Sequence, residues 1–251
     1  MRKMFLIGLS ALAGLAQPAA AQSPGERLLA AYPDHLQTVD GNDLVWKDAT
    51  RMAIDDGNGP KPFDKWLSSP DLKDMFALPY PAGDAPPPTT PETDPGRARN
   101  HAFFAKMYGD CSKGEVAKNL VEITWLPKKA GQKLTITRLN GVATRLQKVS
   151  EALDVLPAAF DVYLKPSEGT YNCRTIAGTT QVSAHGYGIA IDIATRHAHY
   201  WRWNRGGASA YQNKIPQEIV TIFEANGFIW GGKWGHYDTM HFEYRPELLG
   251  R

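Results

Sequence analysis

Apolar positions recur along this chain at two periods, and the two periods predict different elements. Over Gly141–Leu156, Val142, Leu146, Val149 and Leu153 return every three or four residues, the spacing of one helix face. A second helix is expected over Pro216–Asn226. Pro216 suits a first turn, Ile219, Val220 and Phe223 form the apolar face, and Gly227 suits the stop. Strand-like runs occur at Val121–Trp125 and Lys133–Thr137, split by Pro127–Gly131, and at Phe160–Leu164 and Met240–Tyr244. In Gly188–Ala194 the residues Ile189, Ile191 and Ile193 alternate with smaller or polar ones, as in a strand with one face in the core. Upstream, His35–Val39 and Leu44–Trp46 flank Asp40-Gly41-Asn42-Asp43, a hairpin signal.

Four regions follow. Residues 22–78 read as a small ordered N-terminal extension with that hairpin. Residues 79–96 hold Pro79, Pro81, Pro86, Pro87, Pro88, Pro91 and Pro95, so they form an extended linker or a surface wrap rather than a helix or inner strand. From residue 97 to 251 the pattern is that of a compact α+β domain. Ahead of all three, Arg2 and Lys3 precede an apolar run from Phe5 to Ala16, and Pro18-Ala19-Ala20-Ala21-Gln22 then supplies small residues. This is the layout of a secretory signal over residues 1–21, with cleavage after Ala21. The run is short for a bilayer span, and nothing later is apolar enough to span. The expected location is therefore a bacterial periplasm or the medium outside the cell.

Composition changes little in this picture. The chain has 251 residues, 43% hydrophobic and 22% charged, which excludes a disordered or collagen-like protein. Its formal charge of +2 is supplied by Arg2 and Lys3. Without the signal the charges balance, so no nucleic-acid partner is expected. Cys111 and Cys173 are the two cysteines, and in an oxidising compartment two cysteines in one domain are expected to pair.

The chemistry concentrates in Ser183-Ala184-His185-Gly186-Tyr187-Gly188-Ile189-Ala190-Ile191-Asp192. An Asp on so apolar a strand is costly unless it is paired or bound to a cation. His185 lies just before it, and the glycines let the backbone bend toward the same point. An imidazole and a carboxylate make two-thirds of a catalytic zinc ligand set, and His241 is the candidate for the third. A fourth position then stays open for water. Asp238, three residues before His241, is placed to act as a general base beside the metal, or it is a turn residue.

These residues resemble the zinc D-alanyl-D-alanine carboxypeptidases and the related L-alanyl-D-glutamate endopeptidases of cell-wall remodelling. Their pattern, S-x-H-x-x-G-x-A-x-D followed by an acid three residues before a His, is matched by Ser183, His185, Gly188, Ala190 and Asp192, then by Asp238 and His241. The resemblance spans roughly residues 120–248 and reaches neither the extension nor the proline stretch. It implies an α+β fold with a small antiparallel sheet flanked by helices and a zinc site on the sheet, as in hedgehog-like domains. It also implies that His185, Asp192 and His241 bind Zn2+, with Asp238 as base and later proton donor. Arg174 would stabilise the oxyanion, although Asn172 and Cys173 replace the small residues usual before that Arg. A Cys111–Cys173 bridge would fix the strand that carries Arg174.

Other residues keep two readings. Ser183, His236 and Trp234 are candidates for substrate contact. Trp201, Trp203, Trp230 and Trp234 either line a cleft or pack a core. Glu243 either orients His241 from behind or is solvated. His197 and His199 read as part of an exposed loop. The expected substrates are peptidoglycan stem peptides, cut by a carboxypeptidase or by an endopeptidase. The alternative from another class is a zinc-containing cell-wall binding or regulatory protein without catalysis, which has no need of Asp238.

Overall fold

The computed structural model describes residues 22–250 except Thr89, Ala177, Gly206, Ala208 and Ser209. The expected signal segment, residues 1–21, therefore lies outside the described residues. Helix α1 (Pro24–Ala31) opens the extension, capped by Ser23 and Glu26 in a reciprocal capping box. The expected hairpin follows as β1 (Leu36–Asp40) and β2 (Asp43–Trp46), which pair antiparallel with Asp40 opposite Asp43. Strand β3 (Arg51–Ala53) completes this first sheet in the order β1-β2-β3. Helix α2 (Phe63–Ser68) and helix α3 (His101–Tyr108) flank the proline-rich stretch.

That stretch is a wrap held by polar contacts. The Tyr80 hydroxyl donates to Glu224 Oε1 at 2.6 Å, and the Trp230 backbone N–H donates to the Tyr80 hydroxyl at 2.9 Å. Lys233 Nζ reaches the carbonyls of Pro81 and Gly83, each at 2.6 Å. Trp234 Nε1 donates to the Pro95 carbonyl at 2.8 Å, and the Gly235 N–H to the Thr93 carbonyl at 2.7 Å. Prolines remove their own donors, so this segment is tied down through its carbonyls and side chains.

In the rest of the chain β4 (Leu120–Trp125) and β5 (Gln132–Thr137) pair antiparallel, and helix α4 (Val142–Asp154) packs on them with Val142, Leu146, Val149 and Leu153 buried. The Phe160–Leu164 run is not a strand. A 3-10 turn at Ala158–Phe160 leads into helix α5 (Asp161–Leu164). A short apolar run does not distinguish strand from helix, and here tertiary pairing decides. Asp161 binds Lys129 Nζ at 2.7 Å and Lys165 Nζ at 3.0 Å, which holds the helical turn. The third sheet has the order β6-β8-β7 and is antiparallel. It is made from β6 (Ala190–Asp192), β7 (Phe228–Trp230) and β8 (His241–Tyr244), with helix α6 (Gln217–Ala225) before β7. The fold is α+β, as expected, with its strands divided among three small sheets.

One hydrophobic cluster joins the extension to the remainder. Leu28, Tyr32, Leu36 and Trp46 pack with Phe103, Phe104, Trp125, Ile191 and Phe242. Phe103 is fully buried between the rings of Tyr32 and Trp46, at centroid distances of 5.7 and 5.5 Å. Among the described residues no helix is long and apolar enough to cross a membrane. Phe103→Ala is expected to cost about 3–5 kcal/mol, read by denaturant unfolding, because the space it leaves is walled by two rigid aromatic rings.

Candidate metal centre

Strand pairing brings two of the three candidate ligands together. In the β6–β8 ladder Asp192 lies directly opposite His241, and Ala190 opposite Glu243. Directly opposed residues place their side chains within contact distance, so residues 49 apart in sequence share one spot. His185 arrives from a 3-10 turn, Ala184–Tyr187, which Gly188 closes in the left-handed region at φ +67°. A Cβ on Gly188 would lie 3.1 Å from Leu120 Cδ2 and 3.2 Å from the Thr137 nitrogen, so both conformation and space call for glycine.

Three atoms then form a near-equilateral triangle. His185 Nε2 is 3.3 Å from His241 Nδ1 and 3.1 Å from Asp192 Oδ1, and His241 Nδ1 is 3.0 Å from Asp192 Oδ1. For metal–ligand bonds of about 2.0–2.1 Å, the edge of a tetrahedron is about 3.3 Å. The triangle therefore has the dimensions of one face of a tetrahedral site. The outward nitrogens settle the tautomers. His185 Nδ1 faces the Thr170 carbonyl at 2.5 Å, and His241 Nε2 faces Glu243 Oε2 at 3.0 Å. Both of those nitrogens must donate, so the inward nitrogens carry lone pairs toward a carboxylate oxygen. Three lone pairs turned on one point repel unless a proton or a cation sits among them, and acceptors behind each His are the usual support of a metal site. The residues present fit a divalent ion.

The electrostatics agree. Burial alone pushes Asp192 up, but His185 and His241 outweigh it and hold the carboxyl well below the usual carboxylate range. Burial pulls His241 down, but its bonds to Asp192 and Glu243 prevail and push it up to about 10 in the metal-free protein. A cation at the triangle competes for that same lone pair. Burial is also the leading effect on Asp238, whose carboxyl is pushed up to about 6. Its Oδ1 is buried with no hydrogen-bond partner. The loop is fixed there by a close approach: the Asp238 N–H donates to the Gly231 carbonyl at 3.0 Å, and a Cβ on Gly231 would stand 2.6 Å from the Asp238 carbonyl oxygen.

A groove of about 280 Å³ collects the remaining candidates. Arg174, Ser183, Trp234, His236 and Asp238 line it together with Asp192 and His241. Arg174 sits on a hairpin in which Thr175 bridges Val182 and the Ser183 N–H donates to the Arg174 carbonyl at 3.0 Å. The disulfide Cys111–Cys173 ties the start of that hairpin to the segment after α3. The tryptophans divide: Trp203 is 60% exposed and lines the groove beside buried Trp234, whereas Trp230 is packed in the core. His197 and His199 join no metal-ligand group among the described residues.

Glu243 is not solvated. It is fully buried and takes paired bonds from Arg99, with Nε at 3.0 and 3.1 Å, while Arg245 Nη1 reaches it at 3.1 Å. Arg97 and Arg99 also line the groove, and neither is marked by any motif. Their one signal in the sequence is a pair of cations two residues apart at the end of the proline stretch. Asp94 is likewise unmarked. Fully buried, it accepts the His236 backbone N–H at 2.8 Å and lies 2.9 Å from His236 Nδ1.

With this geometry in place, comparison with known proteins adds a family. A family model described as D-alanyl-D-alanine carboxypeptidase matches residues 177–244. That segment holds His185, Asp192, Asp238 and His241 and leaves out Arg174. Over that segment the chain is similar to this family of peptidoglycan-acting metallopeptidases. No curated protein and no solved structure matches the chain.

Glu243→Gln leaves a buried cationic pair short of a charge and weakens the acceptor behind His241. The expected result is a loss of metal affinity of about 10–100-fold, measured by competition with a chelator. Reduction of Cys111–Cys173 is expected to lower peptide turnover more than metal content, because the bridge adjoins Arg174 directly and reaches the triangle only through the Asn172 contact with the His185 carbonyl. Equal loss of metal and turnover would contradict that division.

Proposed function

We propose that this protein is a zinc-dependent peptidase that hydrolyses peptidoglycan stem peptides as a D-alanyl-D-alanine carboxypeptidase. The observation that carries the reading is three converging lone-pair atoms and a partnerless, buried Asp238 oxygen in one groove. His185 Nε2, Asp192 Oδ1 and His241 Nδ1 hold the ion. Bound there, zinc polarises the scissile carbonyl and makes water a stronger nucleophile.

The protein's own groups do the rest. Asp238 takes a proton from the attacking water and returns it to the leaving amine. A carboxyl raised by burial suits both halves of that task. Arg174 has no carboxylate partner among the described residues, whereas Arg97 is engaged by Asp94 and Arg99 by Glu243. Its guanidinium stabilises the negative charge that develops on the carbonyl oxygen. Ser183, His236 and Trp234 contact the peptide along the groove.

Two features favour the carboxypeptidase over an L-alanyl-D-glutamate endopeptidase. Phe63 of α2 stacks on His236 at 5.5 Å, and Asp94 of the proline segment holds the same ring. Both upstream segments thus hold in place a ring that lines the groove. A non-catalytic cell-wall protein has no use for a desolvated, unpaired carboxylate beside the ligands. The N-terminal signal pattern accords with a periplasmic or secreted site of action, where these substrates lie.

Incubating the metal-loaded protein with muropeptides and reading the products by mass spectrometry tests the proposal. Loss of one terminal D-alanine is expected. A cut within the stem would move the assignment to the endopeptidase, and unchanged muropeptides would remove the enzyme reading. Asp238→Ala is expected to lose at least about 100-fold in turnover with the metal retained, whereas His185→Ala loses the metal too. A base acts only when deprotonated. Turnover should therefore fall as pH drops through the Asp238 pKa, about 6 without metal and lower with a cation beside it.

A further inference from the structure

Between Asp192 and Glu218 the chain carries no acid and four cations, Arg196, Arg202, Arg205 and Lys214. The chain as a whole balances its charges apart from Arg2 and Lys3, so this excess is local. All four cations are exposed, and none forms an ion pair or a side-chain hydrogen bond among the described residues. Glu168 accepts the Thr195 hydroxyl at 2.9 Å and yet does not pair with Arg196. The same segment holds Trp203. Of the large hydrophobic side chains among the described residues, Val155, Val162 and Trp203 are exposed, and Trp203 is the aromatic one.

This basic segment is fixed to the loop that carries Asp238. The His199 N–H donates to the Thr239 hydroxyl at 2.7 Å, the Thr239 N–H to the His199 carbonyl at 2.9 Å, and the Trp201 N–H to the Tyr237 carbonyl at 3.0 Å. Aromatic rings carry it outward: Trp203 meets Tyr200 edge-on at 5.6 Å, and Arg202 lies 4.9 Å over Trp201. Arg202 also reaches the hairpin at Gly178, where an added Cβ would stand 3.5 Å from its Nη1. That hairpin and α2 line a further cavity of about 650 Å³ beside the groove. The charges act together. Burial and Asp238 push the Tyr200 phenol up, whereas Arg202, Arg97 and Arg174 pull it down. Burial pulls His199 down, and Lys214 adds to that pull. A positive potential therefore runs from the groove across its rim.

Unpaired cations around an exposed indole complement a surface that is both anionic and partly apolar. A soluble polyanion would satisfy the charges and leave the indole in water, and a neutral apolar partner would do the reverse. The interface of an anionic bilayer meets both needs, because its phosphates attract Lys and Arg and an indole settles at headgroup level. We propose that the segment 196–214 docks this protein reversibly on an anionic phospholipid surface, with Trp203 among the headgroups and Arg202 and Arg205 on lipid phosphates. The segment is built on the short 3-10 turns Thr195–His197 and Trp201–Trp203, so it lies on the bilayer and does not span it. Tyr200 and Trp203 line the metal groove, and docking turns the mouth of that groove toward the bilayer. The proposal goes beyond the peptidase reading and does not rest on it.

Co-sedimentation with vesicles of phosphatidylcholine alone, and of phosphatidylcholine with about one-third phosphatidylglycerol, tests the docking. The protein from Gln22 onward is used, since the Phe5–Ala16 run would bind any bilayer. Binding is expected on the anionic vesicles and not on the neutral ones. It is expected to fall as salt rises from about 0.1 M to about 1 M and the screening length shortens from about 10 to about 3 Å. Arg202→Gln and Arg205→Gln should each weaken it about fivefold, with thermal unfolding as the check that both variants fold. Indole emission should shift to the blue on the anionic vesicles, and Trp203→Phe should remove that shift. Equal binding to both vesicles, binding to neither, or anionic binding untouched by both Arg variants overturns the proposal. A blue shift that survives Trp203→Phe puts another face on the bilayer and overturns it too. So does a salt-sensitive complex with soluble polyphosphate in the absence of vesicle binding, which would assign the segment to a polyanion.

Discussion

Glu243 is a charge with no access to water, and the centre depends on how it is satisfied. A buried carboxylate survives only with paired cations and hydrogen bonds around it. Here Arg99 and Arg245 supply the cations, and the His241 ring supplies a further N–H. The network continues outward: Arg245 Nε binds Glu247 Oε1 at 2.5 Å, and the Tyr32 hydroxyl donates to Glu247 Oε2 at 2.6 Å. Two acids balance two guanidinium groups, so the cluster is neutral as a unit. One ligand ring is thereby locked in tautomer and direction by residues that reach back to the first helix of the extension.

The other histidine of the triangle is held by a separate route. Thr170 takes the His185 N–H on its carbonyl, and its own hydroxyl donates to the Thr135 carbonyl of β5 at 2.5 Å. The residue before it bridges to Asp192. The segment from Gly169 to Arg174 therefore touches β5, His185 and Asp192 of the first motif, and the disulfide. Each of the three inward atoms is positioned by backbone or by buried charge, and none depends on a flexible side chain alone. That arrangement suits a site whose ligands must keep facing one another against their own repulsion.

The extension and the proline stretch support a side chain of the groove, His236. Phe63 and Asp94 grip His236 from two sides, and Trp201 meets the same ring edge-on at 4.7 Å. Asp94 also anchors Arg97 at 2.7 Å. The parts of the chain furthest from the motif thus shape what lies beside it.

The motif was legible because its chemistry is local. Spacing put Asp192 and His185 within one short segment, and an acid on an apolar strand needs a cation or a partner whatever the fold. Periodicity placed α4 and α6, and Asp-Gly between apolar runs placed the first hairpin. Phe160–Leu164 was misread as strand because five residues carry no length to separate the two periods. Asp94, Arg99 and Phe63 carried no motif, since each acts across more than 100 residues of sequence, and Arg97, which pairs with Asp94 three residues away, showed only as a second cation beside Arg99. What the sequence by itself determined is which residues are candidates to bind a metal and hold a proton. Only the tertiary structure decided that Asp192 faces His241 across a ladder, that Glu243 is dry and that α2 lines the cavity beside the groove. Strand register and burial are properties of the whole packed core, and no single segment of the chain contains them.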